Sequence, residues 1–151
     1  MISTCFHSPL GALTICQEDG AIVRLLWEAS PLAKSNLLDE AIKQLTAYFA
    51  GELRVFDLPL HVAGSQFQQS VCVEMCKIPF GDTVTYGDLA KTLGCAAQPI
   101  GRACGLNPIP IIIPCHRVMG AGGKLVGFSG KGGVETKVAL LRHEGAAGLL
   151  I

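Results

Sequence analysis

The residues best equipped for chemistry lie in one stretch, Asn107-Pro-Ile-Pro-Ile-Ile-Ile-Pro-Cys115-His-Arg-Val118. A thiol attacks as thiolate, and an adjoining base or positive charge favours that form. Cys115 has both, because His116 and Arg117 follow it directly. His116, or a water that it orients, can take the proton while a carboxylate elsewhere orients the imidazole. Glu144 is the candidate carboxylate, placed just after an expected helix over Val134–His143. The competing reading is an inert buried cysteine beside a surface histidine. Thiol, imidazole and carboxylate also make an acyl-transfer set, so a cysteine hydrolase is a rival on residue types alone. Cys72 and Cys76 lie one helical turn apart, but no Cys-x-x-Cys pair is present and nothing fixes four zinc ligands, so no metal is assigned.

The surrounding sequence supplies the elements that position these groups. Ile111–Ile113 reads as a buried strand that Pro114 ends, since proline cannot donate to a ladder; Cys115 is thereby set at a strand end. Upstream, Val71, Met75 and Ile78 are spaced for a helix stopped by Pro79 and Gly81. Thr85-Tyr-Gly-Asp88 has the form of a capping box and predicts a short helix Tyr86–Leu93 closed by Gly94. Pro99 suits the first turn of a second helix that Pro108 ends at or before Asn107. Two short helices joined by a tight turn make a helix-turn-helix candidate. In the second helix Gly101, Ala103 and Gly105 are all small, so something approaches it closely. Either the first helix packs there, or a DNA groove does, with Arg102 and the helix N-terminus near phosphates. Gly120–Gly133 holds seven glycines in fourteen residues, which suits a hairpin and loop rather than a helix.

Nearer the N-terminus, turn signals at Ser8-Pro9 and Asp19-Gly20 separate apolar runs that read as antiparallel strands. From Leu37 the apolar residues follow helical spacing, with Asn36 placed to cap and Gly51 to stop. The fold class expected is α/β of the α+β kind. A small N-terminal sheet-plus-helix subdomain spans residues 1–64, and a mainly helical, winged helix-turn-helix-like catalytic domain spans 65–151.

The 151 residues suffice for about one domain or two small subdomains. Half of them are apolar and 16% are charged, which excludes disorder and coiled coil. Twelve basic and twelve acidic residues give zero net charge, which taken whole argues against a nucleic-acid partner. Cut at Ser65, the balance changes. Residues 1–65 hold four basic and seven acidic residues, a net of −3, and residues 66–151 hold eight and five, a net of +3. That asymmetry points to an anionic partner for the second half. Seven cysteines cannot all pair within the chain, so reduced thiols and a cytoplasmic location are expected. The N-terminal residues do not read as a secretory signal, and no apolar run approaches a membrane span.

Ile113-Pro-Cys-His-Arg-Val118 closely resembles the active-site signature of the O6-alkylguanine-DNA alkyltransferases, the methylated-DNA–protein-cysteine methyltransferases. The likeness extends through Phe67-Gln68, Thr85-Tyr-Gly-Asp-Leu-Ala90, Asn107-Pro108, Gly127-Phe-Ser-Gly130, Lys137 and His143-Glu-Gly145, in the family's order. Tyr48-Phe-Ala-Gly51 and Leu58-Pro-Leu60 look like the family's first domain.

The resemblance implies a monomer that needs no cofactor and acts on double-stranded DNA containing O6-alkylguanine, and on O4-alkylthymine. The Cys115 thiolate would take the alkyl group permanently, once per molecule. His116 would deprotonate it through a water, Glu144 would orient His116, and Asn107 would support the turn carrying Cys115. Tyr86 would assist departure of the guanine and crowd the flipped nucleotide's phosphate. Gly101, Arg102, Ala103 and Gly105 would lie in the minor groove, and Arg117 would serve substrate or DNA binding. Phe128 and the Ser129 region would wall the alkyl pocket, and Lys137 would stand near the site. The family's arginine, nine residues before the asparagine, fills the hole left by the flipped base; here that position holds Gln98. A non-catalytic damaged-DNA-binding module is the remaining rival, and relatives of that kind replace the cysteine.

Overall fold

In a computed structural model of the chain, residues 1–125 and 133–146 are described. They fall into two compact units, Met1–Ala63 and a second that begins at Gly64.

The first unit is an antiparallel sheet of β1 (Ile2–Ser8), β2 (Gly11–Glu18) and β3 (Ala21–Leu26) with one helix, α1 (Asn36–Phe49). Glu18 pairs with Ala21, so Asp19 and Gly20 form a two-residue hairpin turn, and their φ values of 50° and 76° are those that such a turn requires. Central β2 buries Leu13, Thr14, Ile15 and Cys16, and α1 buries Leu38, Ala41, Leu45 and Tyr48. The helix begins one residue earlier than its periodicity suggested. Its cap is Ser35, which accepts from the amide of Leu38, and Asn36 is the first helical residue.

The second unit opens with α2 (Gln66–Cys76), capped by Ser65. Then come β4 (Val84–Thr85), α3 (Tyr86–Leu93) and α4 (Ala97–Gly105). A 3-10 turn over Cys115–Arg117 leads into β5 (Val118–Met119), and α5 (Val134–His143) follows. Thr85 and Asp88 close a capping box, each side chain accepting from the other's amide, at 3.0 and 2.9 Å. Gly94 ends α3 in the left-handed region at φ 68°, which turns the chain into α4 within three residues, Gly94–Ala96. α4 starts at Ala97, two residues before Pro99, with no side-chain cap.

One expectation is overturned. Ile111–Ile113 is buried, but it is a tight turn rather than a strand. The amide of Ile112 bonds to the carbonyl of Pro110 at 2.9 Å, and Ile111 sits at φ 73°, a γ-turn geometry rare for a branched residue. Proline at 108, 110 and 114 removes three of the donors a ladder would need, which is the physical reason no strand forms. The ladder forms one step later, where β5 pairs in parallel with β4 through Val84–Val118 and Thr85–Met119. Phe128 and Ser129 lie outside the described residues.

Candidate active site

Residues 109–120 are buried without interruption. Buried backbone must find partners, and this segment finds them locally. The amide of Ile113 reaches the carbonyl of Ile109, that of Cys115 the carbonyl of Ile113, and that of Arg117 the carbonyl of Pro114, at 2.8 to 3.0 Å. Asn107 closes the turn from outside, donating from Nδ2 to the carbonyl of Ile113 (2.8 Å) and accepting at Oδ1 from the amide of Ile109 (3.0 Å). Cys115 is thus held on a rigid 3-10 turn at 9% exposure. Burial pushes its thiol above the ordinary value, while a hydrogen bond from the Asn107 side chain and the Lys137 ammonium act in the opposite direction.

His116 is fully buried, and its Nε2 lies 2.8 Å from Oε2 of Glu144. Its Nδ1 has no hydrogen-bond partner among the described residues. Burial lowers the imidazole's pKa, and although Glu144 pulls the other way, the net shift is downward. A neutral ring that donates Nε2–H to the carboxylate has its acceptor at Nδ1.

Glu144 is placed by the end of α5. Gly145 at φ 64° donates to the carbonyl of Arg142, and Ala146 donates to that of Leu141, both at 3.0 Å. Ala146 packs with Leu141 and Met119, completing a Schellman motif. Lys137, one helical face earlier, is buried; its Nζ donates to the carbonyl of Val118 at 2.5 Å and stands 6.0 Å from the Tyr86 ring. Tyr86 leads α3 directly after β4, so the short parallel ladder brings it toward the segment that carries Cys115. Burial raises the pKa of its phenol, with Cys104 and Cys115 adding to the shift.

Arg117 departs from expectation. The sequence assigned it to DNA or substrate, but its side chain is buried, donating from Nε and Nη2 to Glu144 at 2.8 and 2.9 Å and from Nη1 to the carbonyl of Ile78 at 2.7 Å. Phe80 lies 5.8 Å from the guanidinium. The role went unseen because nothing in a linear sequence shows that the carboxylate facing His116 needs a second partner.

The small residues of α4 also divide. Ala103 is buried with Ile100 and Cys104, and its carbonyl accepts from Nε2 of Gln68 at 2.9 Å. Residues 98, 101, 102 and 105 are spaced to share the opposite face; Gln98, Arg102 and Gly105 are exposed and Gly101 half-buried. A Cβ at Gly101 or Gly105 would meet nothing within 4 Å. Ala103 therefore belongs to the packing of the helices and not to an outward stripe.

The family model described as "6-O-methylguanine DNA methyltransferase, DNA binding domain" matches residues 66–146, and "6-O-methylguanine DNA methyltransferase, ribonuclease-like domain" matches residues 1–62. The chain belongs to this family. It is 41% identical to a methylated-DNA–protein-cysteine methyltransferase of Mycolicibacterium paratuberculosis, over 91% of this chain and 88% of that one. The Methanosarcina acetivorans protein of the same name is 38% identical, over 97% and 99%. Among solved structures, Mycobacterium tuberculosis OGT in complex with DNA superposes with a TM-score of 0.85, at 41% identity over 97% of this chain and 95% of that one. Within the methyltransferase family, then, the Cys115–His116–Glu144 arrangement sits in the half that matches the DNA-binding model. Among the described residues no helix is long and apolar enough to cross a membrane.

Proposed function

We propose that this protein repairs duplex DNA by moving the alkyl group of O6-alkylguanine, and of O4-alkylthymine, onto its own Cys115, once per molecule. The observation that carries the reading is the buried dyad beside the cysteine: His116 lies 2.8 Å at Nε2 from Glu144, has no partner at Nδ1 among the described residues, and is pushed by burial toward the neutral form.

The Cys115 proton passes to Nδ1 through an intervening water, and the sulfur then attacks the alkyl carbon. The sulfur–carbon bond forms as the carbon–O6 bond breaks, and the electron pair leaves with the guanine. The base takes up a proton in place of the alkyl group, with the Tyr86 hydroxyl at hand as hydrogen-bond donor. A thioether sulfur has no easy leaving path, which limits the protein to one transfer. Asn107 holds the turn, and Lys137 adds positive charge near the thiol.

The outward residues Gln98, Gly101, Arg102 and Gly105 supply the surface for the minor groove, where the absence of side-chain bulk at two positions lets backbone approach DNA. The target base has to leave the stack, at a cost of a few kcal/mol. Phe128 and Ser129 are assigned to the alkyl pocket on sequence resemblance. All seven cysteines are free thiols, which supports a reducing, cytoplasmic setting, and a monomer suffices for the chemistry.

Intact-mass spectrometry after incubation with O6-methylguanine duplex tests the reading. One methyl is expected per protein, on Cys115, and none in Cys115→Ala. Multiple turnovers, or an unmodified Cys115, would refute it and favour a hydrolase or a binding module.

A further inference from the structure

We propose that Arg117 is a positioning residue for the transfer step, neutralising Glu144 so that the carboxylate remains an acceptor and His116 keeps a bare Nδ1 for the Cys115 proton. The inference rests on the alkyl-transfer reading above. Its basis is the way one carboxylate is divided. Oε1 accepts from Nε of Arg117, while Oε2 accepts from both Nη2 of Arg117 and Nε2 of His116. The guanidinium is itself fixed by the carbonyl of Ile78 and by the Phe80 ring.

Consider the site without the guanidinium. A buried carboxylate would then face the imidazole without the guanidinium's charge, and the cheapest relief is uptake of a proton from solvent. If the proton went to His116, the ring would carry N–H at both nitrogens and could accept nothing. If it went to Glu144, the acid would donate into Nε2 and the ring's own proton would move to Nδ1. Either outcome removes the acceptor that Cys115 needs. With Arg117 in place the pair is compensated, the ring stays neutral, and the carboxylate can still steady the imidazolium that forms when the thiol gives up its proton.

The charged groups acting on His116 are Glu144 from the end of α5, Lys137 from within α5 and Arg117 from its own turn. Burial is the largest influence and lowers the imidazole's pKa; both cations reinforce that direction and Glu144 alone opposes it. Removing Arg117 therefore shifts the balance toward a protonated ring. Lysine restores charge without the two-pronged donor geometry, so it replaces Arg117 only in part.

The test combines single-turnover transfer to O6-methylguanine duplex, from about pH 6 to about pH 9, with ring 15N shifts of His116, for the wild type, Arg117→Lys and Arg117→Gln. In the wild type the ring is expected neutral with its proton on Nε2. In Arg117→Gln it is expected as imidazolium or with the proton on Nδ1. Transfer near neutral pH should fall about tenfold and recover as pH rises, the acidic limb moving up by about one unit, with Arg117→Lys between. A loss by the same factor at every pH with an unaltered ring, or no loss at all, overturns the proposal. Should the variants fail to fold, the wild-type spectrum still decides: an imidazolium or an Nδ1–H ring at neutral pH overturns it. If the wild type transfers no alkyl group, the functional reading fails, while the ring shifts still report on Arg117 and His116.

Discussion

The side-chain amide of Asn107 closes on the carbonyl of Ile113 across six residues, at 2.8 Å, and fixes the loop that delivers the cysteine. Its oxygen takes the amide of Ile109 in the same turn. Both partners belong to buried residues, so Asn107→Ala orphans the amide of Ile109 at about 1–3 kcal/mol, while the carbonyl of Ile113 keeps the amide of Cys115. We expect the variant to unfold at lower urea concentration and to transfer alkyl groups more slowly even where it is fully folded. Unchanged stability would mean that water replaces the amide.

Gly145→Ala tests the placement of Glu144. The added methyl meets nothing within 4 Å, so only the left-handed backbone at φ 64° resists it. The expected cost is about 1 kcal/mol in a denaturation series. Transfer should slow by more than stability alone explains, because a relaxed helix end moves the carboxylate away from His116.

Stability should depend on pH through His116. Its folded-state pKa lies below the ordinary 6.5, so the unfolded chain binds the proton first as pH falls. The contribution is complete above about 6.5 and is lost below it, at up to about 1.4 kcal/mol for each pH unit until the folded-state value is reached. Thermal midpoints measured from neutral to mildly acidic pH should fall more steeply for the wild type than for His116→Gln. Parallel curves would assign the acid sensitivity to other groups.

Gln98 offers a gain-of-function test. It is exposed on α4, uncharged, and occupies the position where the family resemblance expects arginine. Gln98→Arg is expected to tighten binding to damaged duplex or to speed transfer, measured by titration and by single-turnover kinetics. If neither changes, another residue fills the space left by the flipped base.

Salt dependence should be shallow. Of the basic residues behind the +3 of the second half, Arg117 is spent on Glu144 and Lys137 is buried. The charge available to phosphates is smaller than the sequence sum, and the slope of log affinity against log salt is expected near −2 to −3, each neutralised phosphate contributing about −0.9. A slope several times steeper would indicate a larger phosphate footprint.

Elements with strong local signals were legible in the sequence. Asp19-Gly20 required a hairpin, Thr85 and Asp88 a capped helix, and the 3.6-residue pattern from Leu38 to Tyr48 a helix. Glu144, just past α5, could be read as the candidate carboxylate from its chemistry, and its pairing with His116 from the family resemblance. What escaped was set by tertiary context. Ile111–Ile113 has the composition of a strand, yet its prolines deny it a ladder and it turns instead. Arg117 was expected to serve substrate or DNA binding because its partners, Ile78 and Glu144, are 39 and 27 residues away. Ala103 resembled its glycine neighbours in size, but helical phase puts it on the packed side.

The prolines at 108, 110 and 114 also shape how the segment can be observed. They leave few amide protons between Asn107 and Cys115, and several of those present are locked in short local hydrogen bonds. Hydrogen exchange there should proceed only through opening of the whole buried stretch, so protection at Ile113 and Cys115 would track the collective stability of the turn and its anchors. A small probe of exchange at these positions thus becomes a gauge of whether the nucleophile's support opens as a unit or residue by residue.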